Sequence, residues 1–415
     1  MMIALLCLYL AVLAARFWLR YLNLSHLRSK GGIVPPEFAG AVDAERLRRI
    51  TAYTADTSRL GLLESAVSGI LVMLVLFTGL LGVYDQWVAS LTDSFVLQGT
   101  LFFLLFLLAE TIIGIPFSLY LQFGIEARHG FNTMTPALWL TDLIKSLAIS
   151  SVLGGAVLLA SFSLVQTSPD WWWLWVWAFL LSFGIFVMYL SPVVIEPLFF
   201  RFEPLKEEGL EEQVRGLMER AGLMISRVFQ VDASKRSKHS NAYFTGIGRV
   251  KRIVLFDTLL RQMTHEEILA VLAHEAGHWK KRHVLKQIVV SETLALIGLY
   301  SAFHLFRWDG LPGLAGLEVA SFAAQSAIVL FLFNIALFPL TPLFSHLSRK
   351  NEGVADRFAV DLTGNPAALA DALVKLSREN LANLHPHPVY AAFYYSHPPV
   401  IERIRQLKGA ALPGS

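Results

Sequence analysis

Seven long apolar stretches dominate the chain of 415 residues. A helix needs about 20 mostly apolar residues to cross the hydrocarbon core of a bilayer, and each stretch reaches that length. Only 16% of the residues are charged and 55% are hydrophobic, whereas soluble domains have about 25% charged residues. The chain is therefore predicted to be an integral membrane protein with seven transmembrane helices. They are expected near residues 2–22, 62–84, 99–123, 143–165, 171–195, 286–306 and 320–345.

Basic residues alternate between the loops that join these stretches. The first loop is rich in Arg, and the second contains Asp85 and Asp93 but neither Lys nor Arg. Because basic loops stay in the cytoplasm, we expect the N-terminus outside and both large polar regions in the cytoplasm. The first stretch is interpreted as a retained helix, since no Lys or Arg precedes it as in a signal peptide.

Two polar regions, 196–285 and 346–415, follow the membrane helices of 1–195 and enclose the last two, at 286–345. At roughly 160 residues together, they are long enough for one compact domain with its own core. The predicted fold class is an all-α membrane protein with seven transmembrane helices and a cytoplasmic α+β domain formed from two sequence segments.

The first polar region shows strand and helix signals. Thr264 followed by Glu267 is a capping box, which predicts a helix start, and we expect this helix to run into the sixth membrane helix. Short apolar runs flanked by turn residues predict a small sheet. They lie at 228–231, 242–245 and 253–256.

Charge and cysteine content exclude several classes of site and partner. The formal net charge is only +3, and a nucleic-acid binder would show a basic surface stripe, so no nucleic acid is expected as a partner. Cys7 is the single cysteine of the sequence. An intrachain disulfide and a cysteine-based metal site are therefore excluded, and any metal must be bound by His and carboxylate ligands.

The predicted helix contains such ligands, because residues 274–278 read His-Glu-Ala-Gly-His. His274 and His278 are four residues apart and share one helical face, so both imidazoles can bind one ion. Zinc suits the pattern, because it accepts nitrogen and oxygen ligands and keeps a fourth position for water. Glu275 is placed to polarise that water. We predict one zinc ion per chain.

The third metal ligand is less clear from spacing. His283 lies one residue short of the metzincin position and sits in a basic cluster that is interpreted as solvated. Glu292 lies about four turns beyond the His pair along the sixth membrane helix. Glu352 lies just past the seventh, with Asp356 four residues on. Glu352 could bind the metal while Asp356 accepts the N–H of a ligand His. A solvated acidic pair remains the alternative.

Four motifs in combination resemble the integral-membrane CAAX prenyl proteases. They are His274 to Lys280, Ser348 to Asp356, Ser240 to Phe244 and Tyr395 to Pro399, in an order that covers most of the chain. The resemblance implies a zinc metallopeptidase that processes C-terminal isoprenylated peptides. It also implies that the metal Glu is Glu352 and that Asp356 is the acidic residue following it. The chain is shorter than eukaryotic members, which favours a bacterial cytoplasmic membrane over the endoplasmic reticulum.

Two further sites follow from the same comparison of motifs. An exposed edge strand could pair with a peptide by strand addition, and this strand is predicted to contain Asn241, Ala242, Tyr243 and Phe244. His397 precedes two prolines, which restrict its backbone. A rigid His near zinc could stabilise an oxyanion, and the alternative is an ordinary loop His.

The predicted function is zinc-dependent endoproteolysis near the membrane surface, close to the C-terminus of isoprenylated CAAX-type peptides or proteins. The lipid bilayer is the other expected partner. A general quality-control metalloprotease without prenyl specificity would use the same chemistry. A transporter with a structural metal site is a more distant alternative, in which Glu275 would be dispensable because only the ligands would matter.

Overall fold

Seven helices long and apolar enough to cross a membrane are present in the computed structural model, which describes residues 1–245 and 252–410. The predicted number of spans is confirmed. The first two spans are α1 Met2–Lys30 and α2 Ala44–Phe77. The next three are α4 Phe95–Leu119, α5 Pro136–Thr167 and α6 Trp172–Leu190. The sixth is α11 His283–Leu305, and the seventh consists of α12 Phe322–Leu337 and α13 Thr341–Thr363.

Several spans continue into irregular helical turns. A π-helical turn, Tyr120–Glu126, extends α4, and another, Ser191–Ile195, joins α6 to α7, Glu196–Phe199. The second span ends seven residues earlier than the predicted residue 84, because Gly79 takes a left-handed φ of 84° after α2 and turns the chain into α3, Leu80–Ala89. Glycine adopts this conformation without a steric penalty.

A four-stranded sheet lies in the first polar region, with the order β1-β2-β4-β3. β2 and β4 are parallel and the other pairs are antiparallel. Three of the strands match the predicted runs, while the three-residue β1 has too little pattern to be recognised. β3 lies at the edge of the sheet. The bounds are β1 Phe202–Pro204, β2 Arg227–Val231, β3 Ala242–Thr245 and β4 Arg252–Phe256.

Both polar regions contribute to one hydrophobic core. Ile268 and Leu272 from the first region pack with Ala359, Leu373 and Ile404 from the second, which confirms an α+β domain made of two sequence segments. The helices of this domain are α8 Leu210–Arg220, α9 Asp257–Gln262, α10 His265–Lys280, α14 Pro366–Glu379, α15 Pro388–Tyr394 and α16 Val400–Ala410.

Helix α10 does not run into the sixth span, so that expectation is wrong. It ends at Lys280, and Arg282 takes a left-handed φ of 55° before α11 begins at His283. A left-handed conformation costs an L-residue other than glycine about 1–2 kcal/mol. The chain therefore makes a strained turn between the two helices, and the turn sets the direction of the His283 side chain.

The soluble domain is anchored to the membrane helices by polar contacts just before β3. The hydroxyl of Tyr53, on α2, donates to Oε1 of Glu126 at 2.6 Å, and Oε2 of Glu126 lies 3.2 Å from Nε2 of His239. The His239 ring also stacks on Phe131 at 4.0 Å. These contacts fix the chain that enters the edge strand relative to the second and third spans.

Candidate metal centre

The centre depends on a close approach between α10 and α13. A Cβ atom added at Gly277 would lie 3.0 Å from Cα of Ala355, which is tighter than normal packing, and Ala355 is itself fully buried. The capping box forms as predicted, with Thr264 and Glu267 each accepting from the other's backbone. Glycine at 277 thus lets the two helices pack almost backbone to backbone, and Glu352 on α13 then faces the His pair on α10.

The ligand groups of three side chains converge there. Nε2 of His274 lies 3.2 Å from Nε2 of His278, and Oε1 and Oε2 of Glu352 lie 3.2 Å from His278 Nε2 and 3.4 Å from His274 Nε2. Within the described ranges these residues form the one group of three His, Cys or carboxylate side chains able to hold a metal. Glu292 is not part of it.

A tetrahedral metal fits this spacing. Bonds of about 2.0–2.1 Å to nitrogen and oxygen would separate neighbouring ligand atoms by about 3.3 Å in a tetrahedral site. Oε2 of Glu352 is buried and accepts no hydrogen bond of normal geometry. A buried carboxylate oxygen without a well-directed hydrogen bond is costly, and a cation at the centre of the three ligands would satisfy it.

An outer set of residues orients the ligands. Oδ1 of Asp356 lies 2.8 Å from Nδ1 of His274, and Arg403 forks onto the same carboxylate at 2.6 and 2.8 Å. Asp356 and Arg403 are both buried, so each offsets the other's charge in a site that excludes water. The sequence analysis missed Arg403, because a single Arg on the last helix carries no spacing signal.

His397 and His283 also reach the centre. Nδ1 of His397 lies 2.8 Å from Oε2 of Glu352, on a side chain that is 62% exposed. The expectation that His283 is solvated is wrong, since it is only 5% exposed and its Nδ1 lies 3.1 Å from Nδ1 of His278. The basic residues around His283 pointed to a solvent-facing position, and the left-handed turn at Arg282 brings its ring to His278 instead.

Glu275 follows His274 on α10 and is half-buried. No described residue makes a hydrogen bond or an ion pair with its carboxylate, although its charge helps to raise the pKa of the buried Arg403. A carboxylate held beside a metal in this state can accept a proton from water.

The edge strand β3 lies beside α10, with Ala242 and Phe244 packed into the core that α10 shares. The backbone oxygen of Asn241 accepts from Phe256 at 3.1 Å. Because N–H and C=O groups alternate between the two sides of an antiparallel strand, Ala242 and Phe244 direct theirs to the open edge. Tyr243 packs on the opposite face and donates its hydroxyl to Glu196 at 2.9 Å.

Comparison with known proteins covers nearly the whole chain. Residues 23–201 match the family described as "CAAX prenyl protease N-terminal, five membrane helices", and residues 204–411 match "Peptidase family M48". The chain is 35% identical to the CAAX prenyl protease 1 homolog of Arabidopsis thaliana, over 94% of each chain. It is 31% identical to the homolog of Homo sapiens, over 90% of this chain and 88% of that one. The crystal structure of S. mikatae Ste24p superposes with a TM-score of 0.89 at 29% identity, over 97% of both chains.

The His274 imidazole makes metal uptake dependent on pH. Burial alone lowers its pKa, but hydrogen bonds to Asp356 and Glu352 outweigh burial and raise the pKa of His274 to about 9. A metal binds only the neutral ring, so below pH 9 it must displace a proton, and its apparent affinity should rise about tenfold per pH unit up to that point. Chelator competition between pH 6.5 and 9.5 measures this slope. An affinity that is flat from pH 7 to 9 would contradict it.

Proposed function

Because the chain belongs to the CAAX prenyl proteases of peptidase family M48, we propose that it is a zinc enzyme that cleaves near the C-terminus of isoprenylated CAAX-type peptides. Membership makes it a membrane metalloendopeptidase, which removes the transporter alternative. The observation that supports the assignment of zinc is the convergence of His274 Nε2, His278 Nε2 and the Glu352 carboxylate, whose nearest separations are 3.2–3.4 Å, close to the spacing of about 3.3 Å in a tetrahedral site.

The ligands are His274, His278 and Glu352. When bound, zinc supplies Lewis-acid chemistry, which lowers the pKa of water and offsets charge on a carbonyl oxygen. Glu275 takes the proton of the attacking water and returns it to the leaving amine. This role is supported by a carboxylate that no described residue engages.

Asp356 and His397 act on either side of the ligands. Asp356 accepts the Nδ1–H of His274 at 2.8 Å, which leaves Nε2 unprotonated and directed at the metal. His397 lies beside Glu352 on an exposed side chain, so its ring can turn to donate a hydrogen bond to the oxyanion that forms on the scissile carbonyl.

The substrate binds along β3 by strand addition. The open-edge groups of Ala242 and Phe244 pair with the peptide backbone, while Tyr243 holds the strand from its other face through Glu196. Oδ1 of Asn241 accepts from the backbone N–H of Ala242 at 2.9 Å, and a substrate carbonyl would take its place. The strand is thus kept extended before the peptide arrives.

The catalytic domain faces the cytoplasm. The alternation of basic loops supports this orientation, because Arg-rich segments flank the soluble domain on the side opposite Asp93 and Asp309. Chain length does not support the bacterial assignment, because the Arabidopsis thaliana relative aligns over 94% of its own length and 94% of this chain.

The separation of metal binding from proton transfer tests the mechanism. Glu275→Gln keeps the shape of the site and all three ligands, so it should retain zinc and lose activity by about 10²–10⁴-fold. Glu352→Ala should lose zinc, as should His274→Ala. Elemental analysis measures the zinc content of each variant, and peptidase assays on the same preparations measure its activity. Full activity in Glu275→Gln would rule out its role as base, and full zinc in Glu352→Ala would point to another ligand such as Glu292.

A pair of matched peptides tests prenyl specificity. A buried methylene contributes about 0.8 kcal/mol, but a prenyl group already lies in detergent or lipid and gains only the difference. We therefore expect farnesylation to lower KM more than it raises kcat. Rates for farnesylated and unmodified forms of one CAAX peptide, in one detergent, give the ratio of kcat/KM. Equal values of kcat/KM for the two peptides would favour a quality-control protease whose cleavage does not depend on the prenyl group.

Single-cysteine labelling tests the orientation. Cys7 is exposed, so the variants are built on Cys7→Ser. An impermeant maleimide added to intact cells should label Asp93→Cys and Asp309→Cys but not Lys238→Cys or Lys350→Cys, all four of which are exposed positions. Permeabilised cells are the control in which all four react. Labelling of Lys238→Cys from outside would reverse the proposed topology.

A further inference from the structure

The two ligand histidines are held by different acceptors. Nδ1 of His274 faces the carboxylate of Asp356, whereas Nδ1 of His278 faces Nδ1 of His283 at 3.1 Å. The His278 and His283 rings meet edge to face, with centroids 5.0 Å apart and planes at 78°. His283 is buried, so water does not compete for this contact.

The contact fixes the position of two protons. Two ring nitrogens at 3.1 Å can share a hydrogen bond only if one carries a proton and the other presents its lone pair. Nε2 of His278 points at His274 and Glu352, and a nitrogen that ligates metal must be unprotonated. The proton of His278 therefore lies on Nδ1, and His283 accepts it through Nδ1 while carrying its own proton on Nε2.

The turn between α10 and α11 makes the contact between His278 and His283 possible. In an uninterrupted helix, residues five apart point about 140° away from each other around the axis, so His283 could not reach His278. The left-handed φ of 55° at Arg282 redirects the chain and brings the His283 ring back to His278. The strained conformation of Arg282 therefore coincides with a contact between His283 and a ligand of the metal centre.

We propose that His283 is a positioning residue of the metal centre, which holds His278 in the tautomer and orientation that bind zinc. The proposal deepens the proposed zinc function and adds a fourth histidine to the three already considered. A neutral acceptor suits this place, because Glu352 and Asp356 already bring two buried carboxylates that share one guanidinium, that of Arg403.

Two substitutions separate hydrogen bonding from packing. His283→Asn is smaller but places an amide oxygen near the position of Nδ1 and can still accept the N–H of His278. His283→Leu fills a similar space and offers no acceptor. Loss of an acceptor for a ligand His typically weakens metal binding by about 10–100-fold. We expect that loss for Leu, and zinc affinity within a few-fold of wild type for Asn.

Zinc affinity of the purified full-length chain, measured by competition with a chromophoric chelator, is the readout. It requires no substrate, so an inactive but zinc-binding wild type would contradict the proposed function and leave this inference standing. Glu275→Gln serves as a control with intact ligands. Wild-type affinity in His283→Leu would overturn the inference, and so would an equal loss in both variants, because packing alone would then explain it.

Discussion

The close packing of α10 on α13 at Gly277 and Ala355 is the contact on which the centre depends. Two helices normally lie 8–10 Å apart, and side chains at the crossing set the distance. Here a Cβ on Gly277 would lie 3.0 Å from the Ala355 backbone, so the helices approach as closely as glycine permits. Glu352 then reaches both histidines without extending into solvent. A methyl group at 277 would move a ligand by tenths of an ångström.

Around that contact, the polar side chains form an inner set and an outer set. His274, His278 and Glu352 surround the metal position, and Asp356, His283 and Arg403 lie behind them. Buried charges are costly unless they are paired and hydrogen-bonded. Arg403 meets this condition for Asp356 at 2.6 Å and only weakly for Glu352, whose Oε2 lies 3.6 Å away, and a divalent cation would complete it for Glu352. On the proposed metal site, metal binding would be coupled to the stability of this region, because the ligands converge only in the folded chain.

The membrane helices do more than anchor the domain. Tyr53 and Glu126 belong to the second and third spans, and through His239 they hold the chain immediately before β3. Asn380, at the end of α14, accepts from the backbone of Ser240 in the same segment. The edge strand is thus fixed from the membrane side and from the second polar region at once. On the proposed strand addition, a substrate paired with β3 would be held in a defined position relative to the membrane helices.

The sequence by itself determined the seven spans, the capping box of α10 and the His274–His278 pair. These features depend on apolar length and on the 3.6-residue period, which act within one segment. Spacing left the third ligand open, because Glu352 lies 74 residues beyond His278 in the sequence. In the tertiary structure, Oε1 of Glu352 lies 3.2 Å from Nε2 of His278. This approach depends on the close packing of Gly277 against Ala355, which the sequence alone does not reveal. The tertiary structure also places Arg403 and His283 at the centre. Arg403 lies on α16 of the second polar region, and His283 follows the strained turn at Arg282.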